Sequence, residues 1–263
     1  MKHIQVRGLN FAYLEQGEGP LIMLLHGFPD NAQTWSHQMP ALAEQGYRVI
    51  APYLRGYPPT DLGEGGFYDK ATLVADVAAL IQAFGAGKPC HLVGQDWGAI
   101  IGYGVLAAYP ELIARAVLMA VPHPGQVTQS LVDAKHIQRS FHWWFFQQAG
   151  FPEQALLAND MAFIDYLWQS WSVPGFDDSE HIAQVKDCLL QPGVLVNALA
   201  YYRAMFDPTK ADPGLQSLRE SLKNRISVPT LALCGADDMR AELMREQAGC
   251  FDGPYEYREV PQA

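Results

Sequence analysis

Residues 91–103 of the chain read HLVGQDWGAIIGY, and this stretch decides the fold class. An apolar run leads into Gly94, then Asp96 follows between Gln and Trp, and Gly98 opens a run with helical character. Two glycines around one central residue allow a sharp turn and a close approach of the following helix. The pattern predicts a buried strand, a tight turn with Asp96 at its tip, and a helix.

Asp96 carries the chemistry that this turn predicts. A residue at the tip of a strand-turn-helix elbow projects at the carboxyl edge of the sheet, near the free N–H groups of a helix N-terminus. A carboxylate there suits displacement at an alkyl carbon, because it forms an alkyl ester that water then cleaves. An epoxide or an alkyl halide would be the substrate. The alternative is that Asp96 merely caps the helix, since Asp is a common N-cap residue.

A second motif supports the catalytic interpretation of the turn. In residues 24–35, LLHGFPDNAQTW, another apolar run ends in HGFP. A loop beside the elbow can aim a backbone N–H at the same point as the N–H that follows the nucleophile, and such a pair stabilises an oxyanion. We therefore assign the oxyanion hole to Phe28 and Trp97. His26 is expected to be a structural hydrogen-bonding residue rather than a base.

The rest of the chain alternates short apolar runs with longer helical patterns. The apolar runs are bounded by Gly, Pro or Asp and suit strands buried on both faces of a parallel sheet. They lie at residues 21–27, 48–53, 90–94, 115–120 and 230–235. We expect an α/β protein with a mostly parallel central sheet and helices on both faces.

A helical segment rich in aromatic residues, without a clear strand, interrupts this alternation. We expect the first part of an α/β core over residues 1–122, an inserted helical cap over 123–206, and the second part of the core over 207–263. An inserted cap is a common way to enclose a pocket on such a core.

Composition and charge argue against several functions. The chain of 263 residues has a net charge of −10 and no basic run that would follow a phosphate backbone, so we expect no nucleic-acid partner. The apolar runs are too short to span a membrane, which predicts no membrane association and a cytoplasmic protein. The cysteines form no C-x-x-C pair and no glycine-rich nucleotide motif is present, so we expect free thiols, no metal and no cofactor. The sequence leaves open whether the protein forms a homodimer.

Several motifs together resemble the α/β-hydrolase superfamily, in its epoxide hydrolase and haloalkane dehalogenase branch. They are HGFP, W-x-x-Q-x-P-x-L (35–42), GYRVIAPYLRGY (46–57), GQDWG, VPHPG (121–125) and VPTLALCGADD. The resemblance implies an α/β-hydrolase fold with an inserted cap and hydrolysis without a cofactor. HGFP is more similar to epoxide hydrolases than to dehalogenases. Tyr53 departs from the family, which commonly has Asp there, and we attach no chemistry to this difference.

The resemblance also implies an acid that orients a catalytic histidine. By the family's G-x-x-D pattern the acid is Asp238, with Asp237 as the alternative. The family places the histidine beyond this point, and no His follows His181 here. Three explanations stay open: the natural chain continues further, the protein is truncated and non-catalytic, or a histidine such as His123 or His142 substitutes. We expect the first, because a core without its last elements would expose apolar surface.

The cap residues expected to reach the substrate follow from the same resemblance. Epoxide opening leaves an alkoxide, to which cap tyrosines of epoxide hydrolases donate a hydrogen bond or proton. The Y-R pair identifies Tyr202 as one such group, and His142 stands where many members have the other tyrosine. Trp97 and Trp143 are expected to contact substrate. Trp143 belongs to an aromatic stripe, Trp143 to Phe146, and such a stripe more often forms the core of a cap than a substrate-binding wall. A position on the surface suits His142 as well as a position in the site.

Three hypotheses about function follow. The first is a hydrolase that opens small apolar epoxides through an alkyl-enzyme ester on Asp96, with Asp238 as relay acid and with Tyr202 and His142 assisting ring opening. The second is a haloalkane dehalogenase on the same scaffold. The sequence does not favour a fluoroacetate-type dehalogenase, because such enzymes carry arginines just after the nucleophile and this chain does not. The third is a truncated, non-catalytic protein that binds small apolar ligands.

Overall fold

The fold is organised around one sheet of eight strands. The structure, a computed structural model, describes residues 1–63 and 66–261. The strands are β1 (Lys2–Val6), β2 (Leu9–Gln16), β3 (Leu21–Leu25), β4 (Arg48–Pro52), β5 (Cys90–Gln95), β6 (Ile113–Met119), β7 (Thr230–Gly235) and β8 (Tyr255–Val260). Their order across the sheet is β1-β2-β4-β3-β5-β6-β7-β8. The pairs β1–β2 and β2–β4 are antiparallel and the remaining pairs are parallel, so the predicted α/β class with a mostly parallel sheet is confirmed.

Helices contact the sheet and also fill the long connection between β6 and β7. The helices that contact strands of the sheet include α1 (Gln38–Glu44), α2 (Lys70–Gly85), α3 (Trp97–Ala108) and α11 (Ala241–Arg245). The connection holds α4 (Pro124–Ser130), α5 (Ala134–Arg139), α6 (Phe141–Phe145), α7 (Phe151–Trp171), α8 (Ser179–Leu189), α9 (Val194–Phe206) and α10 (Gln216–Ser221). The boundaries of the cap at residues 122 and 207 stay predictions.

The central strands are those that the sequence pattern indicates most clearly. All five residues of β3, LIMLL, are buried, and this strand lies between β4 and β5. Continuous apolar runs are what a strand covered on both faces requires, because neither face can carry polar groups without loss of hydration. The carboxyl ends of β3 and β5 therefore lie side by side, and the loops that follow them meet at one edge of the sheet.

Three strands have no such apolar run, and the sequence pattern does not predict them. β1 and β2 form an antiparallel pair at one edge of the sheet, and β8 lies at the other edge. The sequence of β8, YEYREV, is partly or fully exposed throughout. Edge strands are half solvated, so they lack the continuous hydrophobicity that marks the central strands.

Two other expectations concern thiols and membrane spans. All four cysteines are free, as predicted; Cys90, Cys188 and Cys234 are buried and Cys250 is partly buried. Within the described part of the chain, every helix is too short or too polar to cross a membrane.

Close packing of α3 on the sheet depends on glycine at position 98. A Cβ atom added at Gly98 would lie 2.1 Å from the carbonyl oxygen of Leu25, a backbone atom that cannot move away without shifting β3. We expect Gly98→Ala to lower the free energy of unfolding by about 3 kcal/mol or more, as severe overpacking does. Urea denaturation measures this change.

Gly85→Ala is the matched control for that prediction. A Cβ atom at Gly85, the last residue of α2, meets no atom within 4 Å. The control should be neutral or stabilising by roughly 0.5–1 kcal/mol, because Ala restricts the unfolded chain. Similar unfolding curves for the two variants would contradict the packing argument.

Candidate active site

Asp96 lies at the tip of the turn between β5 and α3. Its backbone has φ 51° and ψ −120°, which is unusual for any residue with a side chain. Such conformations persist only where the surrounding structure enforces them, and they cluster at functional sites. The Asp96 side chain makes no capping hydrogen bond with α3. The alternative that Asp96 merely caps the helix is therefore wrong.

Two backbone N–H groups act on the Asp96 carboxylate. The Phe28 N–H donates to Oδ1 at 2.7 Å, and the Trp97 N–H lowers the pKa of the carboxyl. Gly27 permits this approach, because a Cβ atom there would lie 2.4 Å from Asp96 Oδ1. The two residues predicted to form the oxyanion hole thus lie beside Asp96. Their N–H groups can stabilise negative charge that develops on Oδ1.

Burial raises the pKa of the Asp96 carboxyl above its ordinary value, and neighbouring groups counter part of this rise. The Phe28 N–H, the positive charge of Arg240 and the Trp97 N–H lower the pKa, while the charge of Asp30 raises it. The net environment is a partly buried carboxylate that accepts a hydrogen bond from the Phe28 N–H and lies in the field of the Arg240 cation. A desolvated anion of this kind is a stronger nucleophile than a hydrated one.

Asp96 lines a cavity with a volume of ≈ 510 Å³, here named the nucleophile cavity. Both candidate relay acids line the same cavity. Asp238 is partly buried and its Oδ1 accepts from the Arg240 N–H at 2.7 Å, whereas Asp237 is exposed. The structure thus brings Asp238 into the cavity of the nucleophile and gives its carboxylate a fixed orientation.

Tyr202 lies in an aromatic cluster beside Asp96. Its ring is 5.4 Å from that of Phe28, 5.3 Å from that of Trp97 and 5.1 Å from that of Phe146, measured between centroids. The hydroxyl is buried and makes no hydrogen bond with any residue that the structure describes. Burial and the charge of Asp96 raise the pKa of Tyr202 well above 10. Tyr202 therefore keeps its proton, and it lies behind Phe28 and Trp97 rather than among the residues that line the nucleophile cavity.

His142 is a buried neighbour of Tyr202. It is 2% exposed, so the alternative of a surface position is wrong. The two ring centroids are 5.7 Å apart. Burial and the charge of Arg240 lower the pKa of His142 well below 6.5, which keeps the ring neutral. Its Nδ1 atom, like the Tyr202 hydroxyl, is buried without a partner among the described residues.

The side chain of Gln147, two residues beyond the end of α6, links α6 to α9. The Gln147 amide donates to the carbonyl oxygens of Trp143 at 2.7 Å and of Tyr202 at 3.0 Å. Trp143 itself lines a second cavity together with Trp97, rather than the nucleophile cavity. Its ring also lies 5.9 Å from the guanidinium carbon of Arg240. Trp143 thus contributes to the cap core as well as to a cavity wall.

His26 is a structural residue, as predicted. It is fully buried, its Nε2 accepts from the Leu54 N–H at 3.0 Å, and its Nδ1 lies 3.1 Å from the carbonyl oxygen of Gly27. Burial lowers the pKa of His26 to about 4. The neutral ring therefore ties the loops after β3 and β4 together beneath the oxyanion donors.

The sequence analysis missed an ion pair that joins the helical connection to the loop after β3. The Nε2 of His181, in α8, lies 2.7 Å from Oδ1 of Asp30, and this hydrogen bond raises the pKa of His181. Asp30 is 2% exposed and lines the nucleophile cavity. The only signal in the sequence is that Asp30 directly follows HGFP, since its partner is 151 residues away.

The chain is similar to known proteins in both sequence and fold. AB hydrolase superfamily protein YfhM of Bacillus subtilis is 34% identical over 199 residues, which are 75% of this chain and 69% of that protein. Epoxide hydrolase 4 of Mus musculus is 31% identical over 252 residues, 91% of this chain and 66% of the mouse protein. The chain thus spans just under two thirds of the length of that relative.

Epoxide hydrolase A from Mycobacterium thermoresistibile has a similar crystal structure, with a TM-score of 0.80 and 23% identity over 100% of this chain and 91% of that one. At this identity the likeness shows the fold. The family described as alpha/beta hydrolase fold matches residues 20–187. Because that match takes in the strands and loops on both sides of the Asp96 turn, this chain belongs to the alpha/beta hydrolase fold family.

Proposed function

We propose that this protein opens epoxides to diols through an alkyl-enzyme ester on Asp96. One observation carries the proposal: the Tyr202 hydroxyl and His142 Nδ1 are buried without partners among the described residues, their rings lie 5.7 Å apart, and Tyr202 packs on Phe28, whose N–H donates to the Asp96 carboxylate. Buried polar groups without partners are costly, so a ligand atom that accepts from them is the simplest explanation for their presence. The resemblance to proteins named epoxide hydrolases points to the ring oxygen of an epoxide as that atom.

In the first step an oxygen of the Asp96 carboxylate attacks one carbon of the epoxide ring. The bond between that carbon and the ring oxygen breaks, and the oxygen keeps the electron pair as an alkoxide. Tyr202 donates its proton to the alkoxide, assisted by His142. Ester formation also removes the negative charge of Asp96 that raises the pKa of Tyr202. Tyr202 therefore becomes a stronger acid as the alkoxide forms.

In the second step water attacks the carbonyl carbon of the ester. The N–H groups of Phe28 and Trp97 stabilise the oxyanion of the tetrahedral intermediate. This intermediate collapses with cleavage of the acyl–oxygen bond; one proton of the water goes to the released oxygen and completes the diol, the other returns to Tyr202, and the Asp96 carboxylate is restored. The proposal assigns Asp238 to orienting the histidine that would activate this water.

The walls of the nucleophile cavity support a small, mostly apolar substrate. Besides the acids and Arg240, the cavity is lined mainly by aromatic and aliphatic side chains, among them Phe28, Trp168, Trp171, Val173 and Pro174. Its volume of ≈ 510 Å³ lies within the range of about 300–1,000 Å³ that small-molecule sites occupy.

The test compares the products from two substrates of similar size. The protein is incubated with styrene oxide and, separately, with 1-chlorohexane, and diol, covalent adduct and released chloride are measured against buffer alone. We expect diol or adduct from the epoxide and no chloride above the buffer rate. Chloride release without adduct or diol from the epoxide would favour the haloalkane dehalogenase. No reaction with either substrate would favour the non-catalytic, ligand-binding alternative.

A further inference from the structure

The proposed reaction leaves the ion pair between Asp30 and His181 without a role. Asp30 lies in the loop after β3, two residues beyond Phe28, whose N–H donates to Asp96. The Oδ1 atom of Asp30 accepts from the Asn31 N–H at 2.8 Å and lies 2.7 Å from Nε2 of His181. The ion pair therefore joins the loop that carries the oxyanion donor to α8, a helix of the connection between β6 and β7.

The Asp30 carboxylate is buried and depends on His181 for a compensating charge. Its Oδ2 atom is buried and makes no hydrogen bond with any residue that the structure describes. Within the described part of the chain, the ion pair with His181 is the one that Asp30 forms. A buried charge that loses its partner is strongly destabilising, because neither water nor another charge replaces that partner. The proton on His181 thus contributes to holding this loop in place.

His181 also contacts a wall of the nucleophile cavity. Its ring packs edge-on against that of Trp168 in α7, with 5.7 Å between the centroids. Trp168 and Asp30 both line the cavity, and the Trp168 ring stacks in turn on Phe176. A change at His181 therefore acts on the cavity from two sides, through the loop after β3 and through α7.

The surroundings of His181 favour its protonated form. The hydrogen bond to Asp30 raises the pKa of His181 above 6.5; burial opposes this rise, and the charges of Asp30 and Asp178 add to it. Two other titratable side chains face Asp30. Burial lowers the pKa of His26 to about 4 and raises the pKa of the Cys188 thiol to about 11, so both are uncharged at neutral pH. Neither can offset the charge of Asp30 in place of His181.

We propose that His181 is a positioning residue for the reaction at Asp96: its protonated ring, bound to Asp30, holds the loop that places the Phe28 N–H on the nucleophile. The inference rests on the proposed function, in which that N–H stabilises the oxyanion. A neutral ring keeps a hydrogen bond to Asp30 but leaves the carboxylate charge uncompensated, so the loop is held less firmly. Because small displacements of a positioned group slow a reaction strongly, the reaction slows as His181 loses its proton.

The direction of the pH effect follows from the raised pKa of His181. The ion pair is complete below about pH 6.5, the ordinary pKa of histidine, and is lost as the pH rises through the higher pKa of the folded protein. His142 and Tyr202 do not cause this effect, since the pKa of His142 lies well below 6.5 and that of Tyr202 well above 10. Adduct formation with styrene oxide should therefore slow about fivefold or more above pH 6.5.

Single-turnover rates between about pH 5.5 and pH 9.5 test this effect. His181→Gln keeps an N–H donor but never carries a charge. Its rate at low pH should equal the slow rate of the unchanged protein at high pH, and its profile should lack the fall. His37→Gln is the control, because His37 is exposed, precedes α1 and makes no capping hydrogen bond. This control should keep the pH profile of the unchanged protein.

NMR tests the link from His181 to Phe28 without any reaction. The ring signals of His181 and the backbone amide signal of Phe28 are followed over the same pH range in the absence of substrate. Both should change with one midpoint, and the change at Phe28 should vanish in His181→Gln. A Phe28 amide that does not follow His181, or a fall in rate that persists in His181→Gln, would overturn the inference. A Phe28 amide that follows His181 in a protein that forms no adduct at any pH would contradict the proposed reaction and support the link between the two residues.

Discussion

Asp96→Asn is expected to abolish the covalent adduct with styrene oxide and to lower any diol formation by a factor on the order of 10⁴ or more, as loss of a nucleophile does. The amide is nearly the same size as the carboxylate, and its oxygen still accepts the Phe28 N–H that lies 2.7 Å from Oδ1. The neutral amide is a poor nucleophile, however, so ester formation stops while the turn keeps its shape.

Single-turnover mass spectrometry measures this effect, and thermal unfolding checks that the variant is folded. Asp187→Asn, which changes an exposed carboxylate of α8, is the control and should form the adduct at the normal rate. An adduct that forms in Asp96→Asn as fast as in the unchanged protein would place the nucleophile on another residue.

Tyr202→Phe is expected to lower the rate of ester formation by a factor of about 10² or more, because the alkoxide loses its proton donor. The ring stays packed against Phe28 and Trp97, so substrate affinity should change little. Stability should stay the same or rise, since the variant removes a buried hydroxyl that makes no hydrogen bond with the described residues. The rate of adduct formation and the urea midpoint measure the two effects.

Tyr201→Phe is the matched control on the same helix. The Tyr201 hydroxyl donates to the carbonyl oxygen of Arg55 at 2.7 Å, so this variant loses a buried hydrogen bond. Its stability should fall by about 1 kcal/mol while ester formation stays within about threefold. Equal rates of ester formation in the two variants would contradict the assignment of Tyr202 as proton donor.

Sequence patterns predict those parts of this protein in which local chemistry is sufficient. The central strands are continuous apolar runs, and β7 begins and ends as its run predicts. The turn at Asp96 follows from its two glycines, whose Cβ-free backbones allow α3 to pack against β3. The sequence pattern does not predict β8, because its alternating, exposed sequence resembles a polar loop.

The site is predicted less completely, because the helical connection between β6 and β7 meets the loops of the sheet only in the folded chain. Asp30 and His181 are 151 residues apart, and no local spacing links them. Arg240 stands two residues after Asp238, yet its effect on the pKa values of Asp96 and His142 depends on tertiary packing.

The most direct test of the central proposal is to locate the covalent adduct itself. The protein is quenched with acid after brief incubation with styrene oxide, digested, and its peptides analysed by tandem mass spectrometry. We predict one added epoxide per chain, attached to the side chain of Asp96 and lost when the peptide is treated with mild base, as an ester requires. An adduct confined to a cysteine, histidine or another carboxylate would contradict Asp96 as the nucleophile.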